Sequence, residues 1–172
     1  CDIINDLFEA RGQLSIKIKK LDMGKCKYCG QDAGFFHSKH EECEKKFSQG
    51  LASIRQIVGN CFIAKEDFYL KEREINAIIQ SSYIDNNALQ QVYCSVFDGA
   101  IDNYLNDGII ETKENQTVAR FMQFTGLPQA VLNANQSLEK VVQSKVLQDI
   151  LQGKVPTPNI KISGDFPFLL GK

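Results

Sequence analysis

Leu89-Gln-Gln-Val92-Tyr93-Cys94-Ser-Val96-Phe97-Asp-Gly-Ala100-Ile101-Asp-Asn-Tyr104 decides the fold class of this chain. Its apolar residues recur every three or four positions over four turns. Leu89, Val92, Tyr93, Val96, Phe97, Ala100, Ile101 and Tyr104 then share one face of a helix, which predicts a central, core-lining element. Asp85-Asn-Asn ahead of it offers a cap, and Asp107-Gly108 behind it offers the glycine that a left-handed C-terminal position favours. The same period continues outward. Leu51, Ile54, Ile57 and Val58 mark one buried face, and Ile75, Ile78 and Ile79 mark another. Beyond the central helix, Thr112 to Glu114 opens a helix carrying Val118, Phe121, Met122 and Phe124, which Gly126-Leu-Pro128 breaks. Two further segments, roughly 128–135 and 137–152, bring the total to about six helices. From 41 to about 153 the only proline is Pro128, so the expectation is a mainly α protein built on a helical bundle.

Composition fits that reading. The chain has 172 residues, 43% of them hydrophobic and 24% charged, with 12 Gly, 4 Pro and no Trp. Collagen, coiled coil and wholesale disorder are excluded, and a real core is available. No window approaches the roughly 20 apolar residues of a membrane helix. Twenty Lys/Arg against 21 Asp/Glu leave a net charge of −1, so bulk charge gives no reason to expect nucleic-acid binding. The local exception is Lys17, Lys19, Lys20, Lys25 and Lys27 against Asp22, read first as a solvated face and second as a weak anion-contact patch. A phosphate-binding stripe would normally bring arginine as well.

Chemistry concentrates in Cys26-Lys-Tyr-Cys29-Gly-Gln-Asp-Ala-Gly-Phe-Phe-His37-Ser38-Lys-His40-Glu41-Glu-Cys43. Cys26-x-x-Cys29-Gly30 has the form of a knuckle in which two thiolates share one metal and the glycine lets the backbone turn back. His40-x-x-Cys43 puts its two side chains on one helical face, able to chelate the same ion. Ser38-x-x-Glu41 reads as a capping box that starts this helix at Ser38. Gly34 is a turn position, and Phe35-Phe36 in a short hairpin are expected to shield the metal. Cys26, Cys29, His40 and Cys43 together make a Cys3His set, the closed coordination of a structural zinc site. His37 is left open as a replacement for His40, an outer-shell residue or a surface histidine, with helical register favouring His40. Knuckle, hairpin, then a helix bearing the second ligand pair resembles a treble-clef zinc finger.

The rival readings are reduced structural cysteines, an opportunistic Cys26–Cys29 disulfide, or a redox Cys-x-x-Cys. The last belongs at a helix N-terminus within a βαβ pattern, which the sequence lacks. Cys61 and Cys94 sit in apolar surroundings and read as buried free thiols, so a reducing, cytoplasmic compartment is expected.

A second motif, from Asn103 to Glu114, matches the EF-hand loop at several positions, but Leu105 stands where an oxygen ligand is needed. It reads better as a helix-to-helix turn with Asp107-Gly108 as the stop and acidic residues at the next helix start. Phe97-Asp-Gly-Ala-Ile101, followed by Asp107-Gly-Ile-Ile and by Glu114 opening a helix that contains Phe121, resembles the tellurite-resistance TerB-like helical domains. A finger ahead of such a bundle is also similar to uncharacterised multidomain bacterial and phage-associated proteins. The resemblance implies a scaffold or sensor in stress response or phage defence, often near membranes, and it supplies no catalytic residue.

The expected organisation is an N-terminal helix/strand segment at 1–23, the finger at 24–48, the bundle at 49–154, and an extended segment at 155–172 that could open a β-rich domain. Cys1 reads as the edge of a trimmed chain rather than a lipidated terminus. His37 and His40 are the only histidines, and Gly-x-Gly-x-x-Gly, phosphate-loop and His-Glu-x-x-His patterns are all missing; the expectation is therefore a non-catalytic protein. Its cofactor would be one structural Zn2+. Its partner would be another protein, bound through a helical groove or the basic segment, with peripheral membrane association left open. The alternative is a nucleic-acid-binding regulator using the finger and the lysines from Lys17 to Lys27.

Overall fold

Aspartate, glycine and proline punctuate the helical period where the sequence predicts. The structure, a computed structural model, describes residues 24–154. The expectations for 1–23 and 155–172, including Cys1, Lys17, Lys19 and Lys20, lie outside the described residues. Among the described residues six α-helices follow the finger: α1 (Glu41–Ala64), α2 (Glu72–Ser81), α3 (Asn86–Tyr104), α4 (Thr112–Thr125), α5 (Gln129–Leu132) and α6 (Ser137–Leu151). Short 3-10 turns at Phe68–Lys71 and Leu105–Asp107 precede α2 and follow α3. α1 packs against α2 and α3; α6 packs directly on α3, α5 touches both, and α4 meets the Phe68–Lys71 turn. The only β pairing among the described residues is an isolated antiparallel bridge between Lys25 and Asp32.

The caps explain the boundaries. Asp85 accepts the Ala88 N–H at 2.7 Å and so starts α3. Gly108 takes φ 84 and Gly126 takes φ 60, the left-handed conformation in which a glycine carries no Cβ penalty. At α4 the capping box is made by Glu111 and Glu114, one residue before the expected start. The Asn103 to Glu114 stretch is thus a helix–turn–helix junction in which Asp107 accepts the Ile109 N–H and Glu114 accepts the Glu111 N–H.

The core is aromatic. Phe121 is fully buried and sits between Phe62 (4.9 Å between ring centroids), Phe68 (5.2 Å), Tyr93 (5.9 Å) and Phe97 (5.6 Å, stacked). Tyr104 donates its hydroxyl to the Phe62 carbonyl at 2.6 Å, a second donor for a carbonyl in the last turn of α1 that also accepts the Lys65 N–H at 3.3 Å. Cys61 is buried, whereas Cys94 is only half-buried.

Two helical glycines face opposite surroundings. A Cβ at Gly50 would lie 2.4 Å from Ser82 Cβ, so α1 and the α2–α3 junction approach closely there. A Cβ at Gly59 would meet nothing within 4 Å. Urea unfolding of Gly50→Ala is therefore expected to show a loss of about 1–3 kcal/mol from overpacking. Gly59→Ala should gain about 0.5–1 kcal/mol, because alanine is the better helix former where space is free. Equal shifts of the same sign would contradict this packing.

Candidate metal centre

The finger is a tight turn pressed against the start of a helix. Gly30 takes φ 72, and its N–H donates to the Cys26 carbonyl at 2.8 Å, while the Cys26 N–H donates to Gln31 at 2.7 Å. These bonds fold the knuckle back so that both thiols face the same way. On the far side, the Lys27 N–H donates to the Ser38 carbonyl at 2.9 Å, and the His40 N–H reaches Cys26 Sγ at 3.3 Å. The segment 37–40 is thereby held alongside the knuckle.

This corrects the expected capping box. α1 begins at Glu41, with His40 as its extended N-cap (φ −87, ψ 140) and no side-chain cap bond. The carbonyl of Ser38 and the N–H of His40 are both engaged by the knuckle, which pulls the two residues out of helical geometry. The chelating pair survives the change, since an N-cap residue and Cys43 still lie one turn apart.

The Cys26, Cys29 and Cys43 sulfurs and a His40 ring nitrogen all lie within 4.8 Å of one another, a group able to hold a metal ion. His40 Nδ1 is 3.4 Å from Cys29 Sγ and 3.6 Å from Cys43 Sγ. The other ring nitrogen, Nε2, is 3.0 Å from the Asp32 carbonyl. A carbonyl only accepts, so Nε2 carries the hydrogen, and in the neutral ring Nδ1 presents its lone pair toward the thiols. Holding a ligand histidine by a backbone carbonyl in this way fixes both its tautomer and its ring orientation.

The electrostatics show what such a cluster demands. Burial opposes ionisation of the Cys26 thiol, but the N–H groups of Cys29, His40 and Tyr28 outweigh it and bring its pKa down to about 6. Burial, then the neighbouring Cys29 and Cys26, push Cys43 up to about 11. The bond to Asp32, followed by the Cys29 thiol, raises His40. Three thiols this close resist full ionisation unless a cation joins them.

No family model, no curated protein and no solved structure matches this chain.

The site therefore rests on its own geometry. His37 is exposed and does not join the four donors among the described residues, so the ligand reading goes to His40. Loss of an outer-shell partner alone typically costs about 10–100-fold in metal affinity. His40→Ala should exceed that loss in a competition with a chromogenic chelator, while His37→Ala should leave the affinity unchanged. The reverse order would reassign the fourth ligand.

Sequence reasoning missed two supports. The Asp32 carbonyl is backbone and leaves no residue-type signal. Tyr28 packs on Phe47 of α1 with centroids 4.9 Å apart, a knuckle-to-helix contact visible in the sequence only as two unassigned aromatics. The expected shielding by Phe35 and Phe36 is wrong: Phe36 is fully exposed and Phe35 is half-exposed. Phe36 also takes φ 65, a left-handed conformation that costs a residue with a Cβ about 1–2 kcal/mol. Of the five lysines proposed as anion contacts, Lys25 and Lys27 are exposed on the knuckle and the other three lie outside the described residues.

Proposed function

We propose that this chain is a non-catalytic zinc-binding interaction module, in which one structural Zn2+ held by Cys26, Cys29, His40 and Cys43 orders a treble-clef-like finger at the end of a helical bundle. The observation that carries the reading is the spacing of the donors. Zinc–sulfur and zinc–nitrogen bonds of about 2.3 and 2.0 Å in a tetrahedron separate S and N by about 3.5 Å, and His40 Nδ1 stands 3.4 Å from Cys29 Sγ and 3.6 Å from Cys43 Sγ. Three thiolates and an imidazole also suit a borderline-soft ion better than calcium or magnesium. Four protein donors leave no open position for a substrate, which supports a structural role.

The partner we favour is another protein. Val142, Val146, Leu147 and Leu151 stand exposed on α6, an apolar strip that a helical interaction domain would use. No helix of the described residues is long and apolar enough to cross a membrane. The TerB-like reading of the bundle, and the stress-response or phage-defence role it implies, is put forward on the Asp107-Gly108 turn between α3 and α4.

Elemental analysis of protein purified without chelator, beside a free-thiol count, tests the metal assignment. One zinc per chain with three thiols protected is the expected result. Absence of metal, with Cys26 and Cys29 freely reactive, would remove the finger and return the pair to redox chemistry.

A further inference from the structure

Two neighbouring phenylalanines displayed to solvent at the tip of a finger are left without a role by the metal site and by the bundle core. Phe35 is 51% exposed and Phe36 102%, and their ring centroids lie 6.4 Å apart. The backbone holds Phe36 out in the left-handed region described above, next to Gly34 at φ 86. A chain that only needed to turn here would be relieved of strain by a glycine at 36. The ring is therefore the part of this residue that needs explaining.

Two cations stand on the knuckle strand that this loop packs against, the Lys27 ammonium lying over the Tyr28 ring at 4.8 Å from its centroid. Lys25 and Lys27 flank the buried Cys26 and are themselves exposed, as alternation along an extended segment requires. Neither pairs with a carboxylate among the described residues, whereas Lys39 is paired with Glu44. Gly24 is packed so closely on the carbonyl of His37 that a Cβ there would lie 2.2 Å from it. Lys25 and Phe36 are each one residue from that contact, so their backbones neighbour one another. Asp32, the one acid in the loop, turns its carboxylate to the Gly34 N–H at 3.0 Å.

We propose that the Phe35–Phe36 loop, with Lys25 and Lys27, binds single-stranded nucleic acid. Bare aromatic rings stack on the faces of unpaired bases, and flanking ammonium groups take the phosphates; the combination is tolerant of sequence because every base has a π-face. Duplex bases offer no free face to a loop tip, so an unpaired strand is the substrate. With two cations and a net charge of −1 on the whole chain, the binding is weak and local, and ring stacking carries the larger share of it. This inference rests on the finger being ordered by its metal.

Fluorescence anisotropy of the full chain with labelled oligo(dT) and oligo(rU) of about 12 nucleotides, at roughly 50 mM salt, tests it. The single strands should bind at least about tenfold more tightly than a duplex of the same length. Phe36→Gly should weaken that binding by about tenfold or more while zinc content and helical circular dichroism stay unchanged. Lys25→Ala should reduce the slope of log affinity against log salt by about 0.7. Phe36→Tyr, which keeps a stacking face, should restore binding. Failure to bind either oligonucleotide, equal binding of the duplex, or indifference to Phe36→Gly would each overturn the inference, leaving the rings to a protein partner. Zinc content measured on the same samples separates those outcomes from a failure of the metal assignment.

Discussion

Cys26→Ser is expected to release the metal and to unfold residues 24–40 together with the first turns of α1. Cys26 is 1% exposed and serves the finger twice, as one of the four donors and as acceptor for the His40 N–H. Structural zinc contributes about 10–16 kcal/mol of apparent binding energy in finger peptides at neutral pH. The backbone hydrogen bonds of the finger are few, and each adds only about 1 kcal/mol. Against the entropy of ordering seventeen or so residues, at roughly 1–2 kcal/mol each, those bonds fall short and the metal decides. Farther along α1 the balance reverses, because Ile54, Val58, Cys61 and Phe62 are buried in the main core. Hydrogen exchange should consequently rise in 41–50 and stay slow from 54 onward. Retained zinc together with unchanged exchange in 41–50 would refute the assignment of Cys26.

Phe121→Ala is expected to destabilise the bundle by about 3–5 kcal/mol. The side chain touches rings from α1, α3 and the Phe68–Lys71 turn, so its removal leaves a cavity bounded by several elements at once. Such a site cannot collapse by moving a single helix, which puts the cost toward the upper end of the range. A domain of this class holds about 5–15 kcal/mol in total, and the melting temperature should fall by roughly 6–20 °C. Urea titration should show the midpoint falling with little change in slope. A shift below about 1 kcal/mol would mean that Phe121 is not central to the packing. Zinc content should be unaffected below the melting range, because Phe121 is not among the four donors.

The contrast between the two regions also explains what could be read from the sequence. α3 was legible because its whole face is set by local period and its ends by side chains, Asp85 at the start and the Asp107-Gly108 turn beyond it. The four donors were legible because their spacing is itself the chemistry. The start of α1 was not. Ser38 and Glu41 satisfy the pattern of a capping box, but bonds from the knuckle to the Ser38 carbonyl and the His40 N–H override local preference, and they arise from residues eleven to fourteen positions away. The orientation of Phe35 and Phe36 was hidden for a related reason. Apolar side chains are expected to cover something, and only the folded loop shows these two left exposed. His37 and His40 were separable in the sequence only by register, and the Asp32 carbonyl that distinguishes them has no counterpart in residue type.

α1 runs without a break through the position where finger and bundle were expected to meet, from Glu41 to Ala64. At about 100° per residue, Cys43, Gly50, Ile54, Val58 and Cys61, all buried, fall along one stripe, so the helix addresses the donor cluster and the core with the same side. That makes the intervening turns a reading frame. One residue inserted or removed between Cys43 and Phe47 would keep the four donors together, since all of them precede it, but would turn the whole finger by about 100° against the core face and part Tyr28 from Phe47. Insertion of a whole turn, three or four residues, would come closest to restoring phase. Lineages of this chain should therefore tolerate length changes in the loops between helices far more readily than a single-residue slip in the first two turns of α1.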